Sequence, residues 1–429
     1  MRLNAEESSL DKWFFGGIFI LLFVNTIVRN QMPEVRPVGD FTTTACLLIM
    51  TAYLIKTLFD RSRNTDVLKR IGIPFVLLFI FYTYGFFTGE YAKGKYAEPA
   101  YYVHMMLLLA YILGMARVRW KEVHMRIFGW IAAAATFFYF MCWMIDGFSM
   151  NGFKAFYTNQ NFLGVLLFCI LFFAVLGFLY SRGFGRIIYI PVVLADLAMI
   201  VATGSRAVQI GILAALFSWV VLKLFKKKFR YLLYLVFLFT FLFVAVYVAL
   251  QNTAIGQSLN DLSVEMFGKN LFSGRNQVWA ELAGAIADHP FLGHGLGIVA
   301  WDVISRSLTA HNFFMQILLE MGIVGMVLYL IVFSGIWGLL NRNIHTAVAK
   351  LSACFMIGIL VYSTFELTLN QNNYAIAMFQ WLIMTMGIGF AKDSVPPEAE
   401  PAEHVVSENS EPDSSVPRTR GQRHRTGRR

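Results

Sequence analysis

A histidine and an asparagine stand immediately before a long apolar segment of the chain. His311 and Asn312 are followed by mostly apolar residues as far as Leu340. If this segment is a helix, both residues lie at its N-terminus, where unpaired backbone N–H groups and the helix dipole favour an anion. The alternative is a capping asparagine beside an ordinary interfacial histidine. The pair is therefore a candidate anion site, and the capping interpretation stays open.

An arginine stands in the short link between two other apolar segments. Arg206 follows Thr203, Gly204 and Ser205, and the next apolar segment begins at Ala207. If both segments cross a bilayer, this link places the guanidinium at the membrane boundary. A snorkelling anchor would account for it, but charge at membrane depth is costly and often functional. Arg206 is therefore a second candidate.

The stretch between Ala249 and His311 is the longest one without an apolar run that could cross a membrane, and long ordered loops are often functional. Within it, apolar residues recur at helical spacing from Gly274 to Asp288. These residues are Val278, Trp279, Leu282 and Ile286. The spacing predicts an amphipathic helix near the membrane surface, with Arg275 in its first turn.

Three glycines at alternate positions follow that predicted helix. Gly293, Gly295 and Gly297 come after Pro290, and such a run suits tight turns and close approach of the backbone. A phosphate cradle is the functional alternative, but the run by itself is a weak signal for one. We therefore favour turns.

The composition places these candidates on a membrane scaffold. Of the 429 residues, 57% are hydrophobic and 14% are charged, which is too apolar for an ordinary soluble domain. Twelve apolar runs are long enough to cross hydrocarbon or nearly so. They lie at about 13–28, 41–59, 71–88, 99–116, 127–145, 161–180, 187–201, 207–224, 231–250, 312–340, 351–369 and 374–391. The sequence predicts an all-α, polytopic membrane protein with about twelve transmembrane helices.

Basic residues collect in alternate loops, which predicts the orientation. The loops rich in lysine and arginine contain Arg61, Arg63, Lys69, Arg70, Arg117, Arg119, Lys121, Arg126, Arg182, Arg186, Lys226, Lys227, Lys228, Arg230, Arg342 and Lys350. By the positive-inside rule both termini are cytoplasmic, and the long loop lies on the outer side. This topology accounts for most of the net charge of +10, so no nucleic-acid partner is needed to explain it.

The predicted organisation has four parts: transmembrane helices 1–9 over residues 1–250, a long outer loop with an amphipathic helix over 251–310, transmembrane helices 10–12 over 311–391, and a disordered cytoplasmic tail over 392–429. The tail is rich in Pro, Glu, Ser and Arg and lacks apolar periodicity. The four cysteines fall inside apolar runs and have neither disulfide nor zinc-site spacing.

Several polar residues interrupt the apolar runs. Glu320 is nine positions from His311, which puts it on the opposite side of a helix, so the two cannot form a simple dyad; Glu320 is expected to satisfy a neighbouring helix. Glu366 lies at or near membrane depth, where charge is costly. Amides at Asn159 to Asn161 could meet glycan hydroxyls, and helix capping is the favoured alternative.

Taken in order, these motifs resemble the superfamily of O-antigen ligases and O-antigen polymerases. The resemblance spans about 157–373. It rests on five elements: Ser205-Arg206, Gly274-Arg275 with Trp279, Pro290 with the three glycines, His311-Asn312, and the later pair Gly322 and Gly325. The glycine pair is expected to permit close helix packing.

The resemblance implies an inverting, metal-independent glycosyltransferase of the bacterial inner membrane that uses no cofactor. Such enzymes move a glycan from undecaprenyl diphosphate to an acceptor on the outer face. Arg206 and Arg275 would hold the diphosphate, because guanidinium forks match phosphate oxygens. His311 would lie beside the acceptor hydroxyl, as a general base or as an orienting group. Further substrate-binding residues would be Ser205, Asn312, Gln277 and Trp279.

Within this superfamily, the spacing from His-Asn to Gly-x-x-Gly is most like that of the ligases. The expected partners are then a lipid-linked glycan donor, lipid A-core as acceptor, and membrane lipid. A polymerase is the close alternative, and protein O-oligosaccharyltransferases share the pattern. A lipid or solute transporter is the alternative of another class. The long outer loop and the lack of a visible internal repeat argue against a transporter.

Overall fold

A computed structural model describes residues 2–31, 36–59, 65–88, 99–250, 253–268, 270–272, 274–306, 308–370 and 374–390. Within these residues the chain is all-α. The helices are α1 (Arg2–Gln31), α2 (Arg36–Leu58), α3 (Thr65–Val67), α4 (Ile73–Thr88), α5 (Pro99–Arg117), α6 (Glu122–Ile145), α7 (Gln160–Tyr180), α8 (Phe184–Ile187), α9 (Tyr189–Thr203), α10 (Arg206–Leu224), α11 (Leu232–Leu250), α12 (Ala254–Phe267), α13 (Arg275–Asp288), α14 (Ala300–Val303), α15 (Phe313–Arg342), α16 (Ala347–Tyr362) and α17 (Tyr374–Gly389). The predicted tail over 392–429 lies outside the described residues.

Twelve of these helices correspond to the twelve apolar runs. In the described part of the chain, eight segments are long and apolar enough to cross a membrane, and they contain α2, α4, α6, α7, α9, α10, α11 and α15. Four shorter apolar helices lie in α1, α5, α16 and α17. The prediction of an all-α polytopic membrane protein is therefore confirmed.

The helices differ in how much of their surface is covered by protein. Almost every residue of α17 and most residues of α7 and α16 are buried, as expected for helices that are apolar on all sides. The outer helices α10 and α11 instead expose large apolar side chains, among them Leu213, Leu216 and Phe239. A continuous apolar surface of this kind is compatible with lipid rather than water.

One end of the helical bundle carries basic side chains. There the Arg342 guanidinium pairs with Asp66 at 2.7 Å, and Arg126 donates a hydrogen bond to the Tyr180 carbonyl. At the opposite end α7, α10 and α15 begin and α16 ends. The basic end is cytoplasmic by the positive-inside rule, and this orientation remains a prediction.

Helix α15 is broken at Gly322, where the outer loop is hydrogen-bonded into the gap. The carbonyls of Leu319 and Glu320 accept hydrogen bonds from the N–H groups of His294 and Gly295, at 2.8 and 3.1 Å. On the other side of the break, the N–H group of Ile323 donates to the loop, to the Pro290 carbonyl at 2.8 Å. The glycine-rich loop thus supplies partners that a continuous helix would have supplied itself.

Glycine is required at Gly322 because the backbones approach so closely. Its φ of +60° and ψ of −161° lie in a region that L side chains rarely adopt. A Cβ atom there would lie 2.4 Å from the Phe291 carbonyl. The expectation of close packing is therefore met in a different form, since the partner is the outer loop and not a second transmembrane helix. Gly293, Gly295 and Gly297 all have positive φ, in keeping with turns.

The eleventh apolar helix is shorter than the apolar run from 351 to 369 suggested. Helix α16 ends at Tyr362, and the N–H groups of Thr364 and Phe365 form turn-like bonds to Val361 and Tyr362. The hydroxyl of Ser363 also bonds back to a helix carbonyl, which is how such residues compete with helix formation. As a result Glu366 lies in a non-helical segment at the end of the bundle, and not inside a transmembrane helix.

Candidate functional site

The three residues proposed as catalytic line one polar cavity of about 370 Å³. It lies at the end of the bundle opposite the basic loops, where α7, α10, α13 and α15 begin. Its lining consists of Gln160, Asn161, Gly204, Arg206, Ala207, Gly274, Arg275, Val278, Leu308, Thr309 and His311. Residues more than a hundred positions apart in sequence thus face a common space.

Glu366 connects three elements at this cavity. Its carboxylate accepts a hydrogen bond from the Asn161 amide at 2.9 Å and from the Arg275 guanidinium at 3.3 Å. Its other oxygen lies 3.1 Å from Nδ1 of His311. The carboxylate side chain is only 7% exposed, whereas His311 is 34% exposed. A nearly buried carboxylate therefore contacts both a candidate cation and the candidate base.

The contact with Glu366 assigns a role to each ring nitrogen of His311. A carboxylate can only accept a hydrogen bond, so Nδ1 must carry the proton. In the neutral imidazole, Nε2 is then unprotonated and able to accept a proton. If the ring becomes charged, the same carboxylate stabilises it, as in histidine–carboxylate pairs of hydrolases. The geometry suits a general base.

The backbone holds His311 in a sparsely populated conformation. Its φ is +43°, which is uncommon for a residue with a side chain and is often found at functional sites. The next residue, Asn312, caps α15 by accepting a hydrogen bond from the Met315 N–H at 3.0 Å. The Phe313 N–H donates to the Ser363 carbonyl at 2.9 Å. The start of α15 is therefore fixed to the end of α16.

Close packing of α10 on α16 brings Arg206 to the same end as Glu366. A Cβ atom on Gly211 would lie 3.0 Å from the Gly358 carbonyl, and one on Gly358 would lie 2.6 Å from the Gly211 carbonyl. Small residues at such a crossing let two helices approach closely. Because α10 begins at Arg206 and α16 ends shortly before Glu366, the crossing positions both groups at the cavity.

Trp279 supports the site from behind. The indole is fully buried and its Nε1 donates a hydrogen bond to the Ala310 carbonyl at 2.8 Å. Val278 and Leu282 of α13 are buried in the same cluster, together with residues of α15. The apolar face of α13 thus packs against protein, and it anchors the chain immediately before His311.

The other proposed substrate-binding residues have different positions. The Asn312 side chain is fully buried and contacts its own helix, and Ser205 is 1% exposed beneath the start of α10. Gln277 is exposed but lines a separate groove on the far side of α13. None of the three lines the His311 cavity. Their roles as substrate ligands remain predictions, and capping is the contact that Asn312 makes.

An apolar cavity of about 340 Å³ adjoins the polar one and shares both arginines with it. Its lining consists of Arg206, Ala207, Ile210, Phe243, Val246, Tyr247, Leu250, Leu271, Phe272, Arg275, Trp279 and Phe365. A further apolar groove of about 300 Å³ shares Phe243 and Phe365 and continues along α10 and α11. The two guanidinium groups therefore lie between a polar space and an apolar channel on the lipid-facing side.

In the residues that the structure describes, no three His, Cys, Asp or Glu side chains are grouped so that they could hold a metal ion. Glu366, the carboxylate nearest the site, is already bonded to Arg275, His311 and Asn161. Metal independence remains a prediction.

Glu366 is the main residue whose role the sequence did not reveal. Its charge within an apolar region was a signal that it mattered, but no spacing connects it with His311 or Arg275. Asn161 had been considered for glycan contact or capping. The capping contact is made by Asn159, whose side chain accepts from the Asn161 N–H, while the Asn161 amide is bonded to Glu366.

Comparison with known proteins covers this same region. Residues 191–330 match a family model described as O-antigen ligase; this range includes Arg206, Arg275 and His311. The O-antigen ligase of Pseudomonas aeruginosa is 25% identical over 282 residues, which is 63% of this chain and 64% of that protein. The chain thus matches less than two thirds of the length of that relative. The resemblance seen in the motifs is confirmed.

Proposed function

We propose that this chain, whose residues 191–330 belong to the O-antigen ligase family, transfers a glycan from undecaprenyl diphosphate to an acceptor hydroxyl on lipid A-core. One observation carries the proposal: Arg206, Arg275 and His311 converge on a polar cavity that adjoins an apolar channel. A donor with a prenyl tail, a diphosphate and a glycan has the same sequence of apolar, anionic and polar parts.

Donor binding would place the diphosphate at the junction of the two cavities. Arg206 and Arg275 line both spaces, and guanidinium groups bind phosphate oxygens in pairs and keep their charge at any relevant pH. The prenyl tail would occupy the apolar channel beside Phe243 and Tyr247. Arg275 gives one contact to Glu366 and has further N–H donors for the ligand.

The reaction would be a displacement at the anomeric carbon. The acceptor oxygen forms a bond to that carbon, the bond to the diphosphate oxygen breaks, and the leaving diphosphate takes the electron pair. Nε2 of His311 accepts the proton of the acceptor hydroxyl, and Glu366 stabilises the resulting imidazolium. The two arginines stabilise the charge that develops on the leaving group.

The experiment is complementation of cells that lack either their ligase or their O-antigen polymerase, followed by gel analysis of envelope glycans. We expect restored attachment of long glycan to lipid A-core in cells without the ligase. Restored chain length on the carrier lipid would support the polymerase instead. Rescue of neither strain would contradict both.

A variant separates the enzyme from a transporter. His311→Ala should lower turnover by about 10²- to 10⁴-fold, the usual contribution of a general base, with a much smaller effect on donor binding. The matched control is His345→Ala, because His345 lies outside both cavities at the basic end of the bundle. Unchanged transfer by His311→Ala, or loss of donor binding alone, would exclude the proposed role.

A further inference from the structure

A third polar space lies on the other side of the first turn of α13. This groove of about 310 Å³ is formed by α12, α13 and the segment between them. Its lining consists of Gln257, Asn260, Asp261, Asn270, Phe272, Gly274, Asn276 and Gln277. Five carboxamides, one carboxylate and one aromatic ring make up nearly all of this surface.

This chemistry suits a ligand that is rich in hydroxyl groups and carries no net negative charge. A carboxamide offers donors and acceptors together, as sugar hydroxyls require, and Phe272 presents an apolar ring to the C–H face of a sugar. None of the lining residues of the groove is Lys or Arg, and Asp261 adds negative charge. An anionic ligand is therefore disfavoured here, in contrast to the neighbouring cavity with its two arginines.

The local structure of α12 turns its amides toward the groove. Thr253 caps this helix by accepting a hydrogen bond from the Gly256 N–H at 3.1 Å. At about 100° per residue, Gln257, Asn260 and Asp261 share one face. Large exposed apolar side chains lie roughly opposite them on the helix, namely Ile255, Leu259, Leu262 and Met266. The amides are thus separated from the apolar face.

The groove is continuous with the proposed donor site. Gly274 lines both this groove and the cavity of His311, and Phe272 lines both the groove and the apolar channel. Arg275, which follows Gly274 directly, lies between these spaces. A glycan attached to a diphosphate at Arg275 could therefore extend around the first turn of α13.

We propose that this groove, defined by Gln257, Asn260, Asp261, Phe272 and Gln277, is a binding subsite for neutral sugar residues of a glycan substrate. The proposal rests on the function proposed above and extends it, because it places the glycan on a surface separate from the reacting groups. It also gives Gln277 a substrate contact outside the His311 cavity.

The test compares two donors with the full-length protein in detergent. One donor carries a single sugar on the prenyl diphosphate, and the other carries a complete oligosaccharide. In the double variant Gln257→Ala with Gln277→Ala, the KM for the oligosaccharide donor should rise about tenfold, as expected for two lost hydrogen bonds. The KM for the single-sugar donor and kcat should stay the same.

The control variant is Glu265→Gln, since Glu265 is exposed on α12 but does not line the groove. A rise in the KM of the acceptor, with an unchanged donor KM, would assign the subsite to the acceptor glycan. An unchanged KM for both glycans, or an equal rise for both donors, would overturn the proposal.

A binding measurement separates failure of this proposal from failure of the proposed function. The free oligosaccharide, released from its carrier, should raise the Tm of the wild-type protein and not that of the double variant. If wild type transfers glycan with every property above but the double variant behaves like wild type, only the subsite is wrong. If wild type transfers no glycan, the proposed function fails, and the Tm shift still decides the subsite.

Discussion

Two buried carboxylates, Glu366 and Glu320, differ in their surroundings although both stand in apolar sequence. Glu366 lies beyond the end of α16 and is bonded to Arg275, His311 and Asn161 beside an open cavity. Glu320 is fully buried within α15, where the Gln316 amide donates to it at 2.6 Å and the Tyr101 hydroxyl at 3.3 Å. The first contacts ionisable groups that a substrate can reach, and the second contacts neutral ones.

This difference shows that burial alone does not identify a functional carboxylate. Both residues are expensive to place in a membrane, and a polar partner offsets that cost for each. Only at Glu366 do the partners include a candidate base and a candidate anion-binding group. The comparison therefore predicts that Glu366 acts in catalysis and that Glu320 acts in stability.

The largest expected effect comes from removing the cation beside Glu366. Arg275→Ala should reduce transfer by about 10³-fold, because it removes charge stabilisation of the leaving diphosphate. Arg206→Ala should have a similar effect. Transfer is measured per amount of protein in the membrane fraction.

The matched control for these variants is Arg306→Ala, since Arg306 is an exposed arginine of the same outer segment that lies outside the cavity. A comparable loss in Arg306→Ala, or unchanged transfer in Arg275→Ala, would remove the distinction between the charged site and its surroundings.

Glu366→Gln tests the carboxylate itself. The amide can still accept a hydrogen bond from His311 but no longer stabilises an imidazolium, so kcat should fall by about 10²-fold. The KM for the donor and the Tm in detergent should change little. Steady-state kinetics and thermal unfolding of the same preparation give both values. A large loss of Tm with normal kcat would make Glu366 a structural residue.

Glu320→Gln should show the opposite pattern. The two donors from Gln316 and Tyr101 would meet an amide that has donors of its own, and one polar group would be left unsatisfied. The expected cost is about 1–3 kcal/mol of stability, seen as a lower Tm. Transfer per folded molecule should stay near that of wild type. A selective loss of kcat would show that Glu320 takes part in catalysis after all.

The smallest expected effect concerns Glu281, an exposed carboxylate on α13. Hydrogen bonds from the Arg306 guanidinium and the Ser305 hydroxyl lower the pKa of Glu281 below its usual range. A depressed pKa gives a contribution that is present above the ordinary carboxyl range and is lost as the pH falls through the lower, folded-state value. Hydrogen exchange at Ser305 should therefore increase slightly on acidification in wild type. In Glu281→Gln the exchange at Ser305 should not change with pH in this range once the intrinsic rate is subtracted.

The sequence predicted the scaffold well because the signals are local. Apolar runs bounded by charge or by Gly, Asn and Pro determine membrane helices, and twelve such runs correspond to twelve apolar helices. Arg206, Arg275 and His311 were identified because each stands at the start of a helix within a recognisable motif. Helix α12 was missed, although its exposed apolar residues at 255, 259, 262 and 266 have helical spacing.

The roles of side chains around the site could not be predicted in the same way. Ser205 and Gln277 are neighbours of the key arginines in sequence, yet one is buried beneath α10 and the other lines a different groove. Adjacent residues on a helix point about 100° apart, so proximity in sequence does not place two side chains on one surface. The break at Gly322 was equally hidden, because its partner is a loop some thirty residues earlier.

By itself, then, the amino-acid sequence determined that this is an all-α membrane protein with charged motifs at helix ends, since hydropathy and helix periodicity act over one element at a time. Only the tertiary structure decided that Glu366 joins Asn161, Arg275 and His311, and that the two arginines separate a polar cavity from an apolar channel. These arrangements depend on how α7, α10, α13, α15 and α16 pack together. The positions of side chains on different helices are fixed by that packing and not by any spacing along the chain.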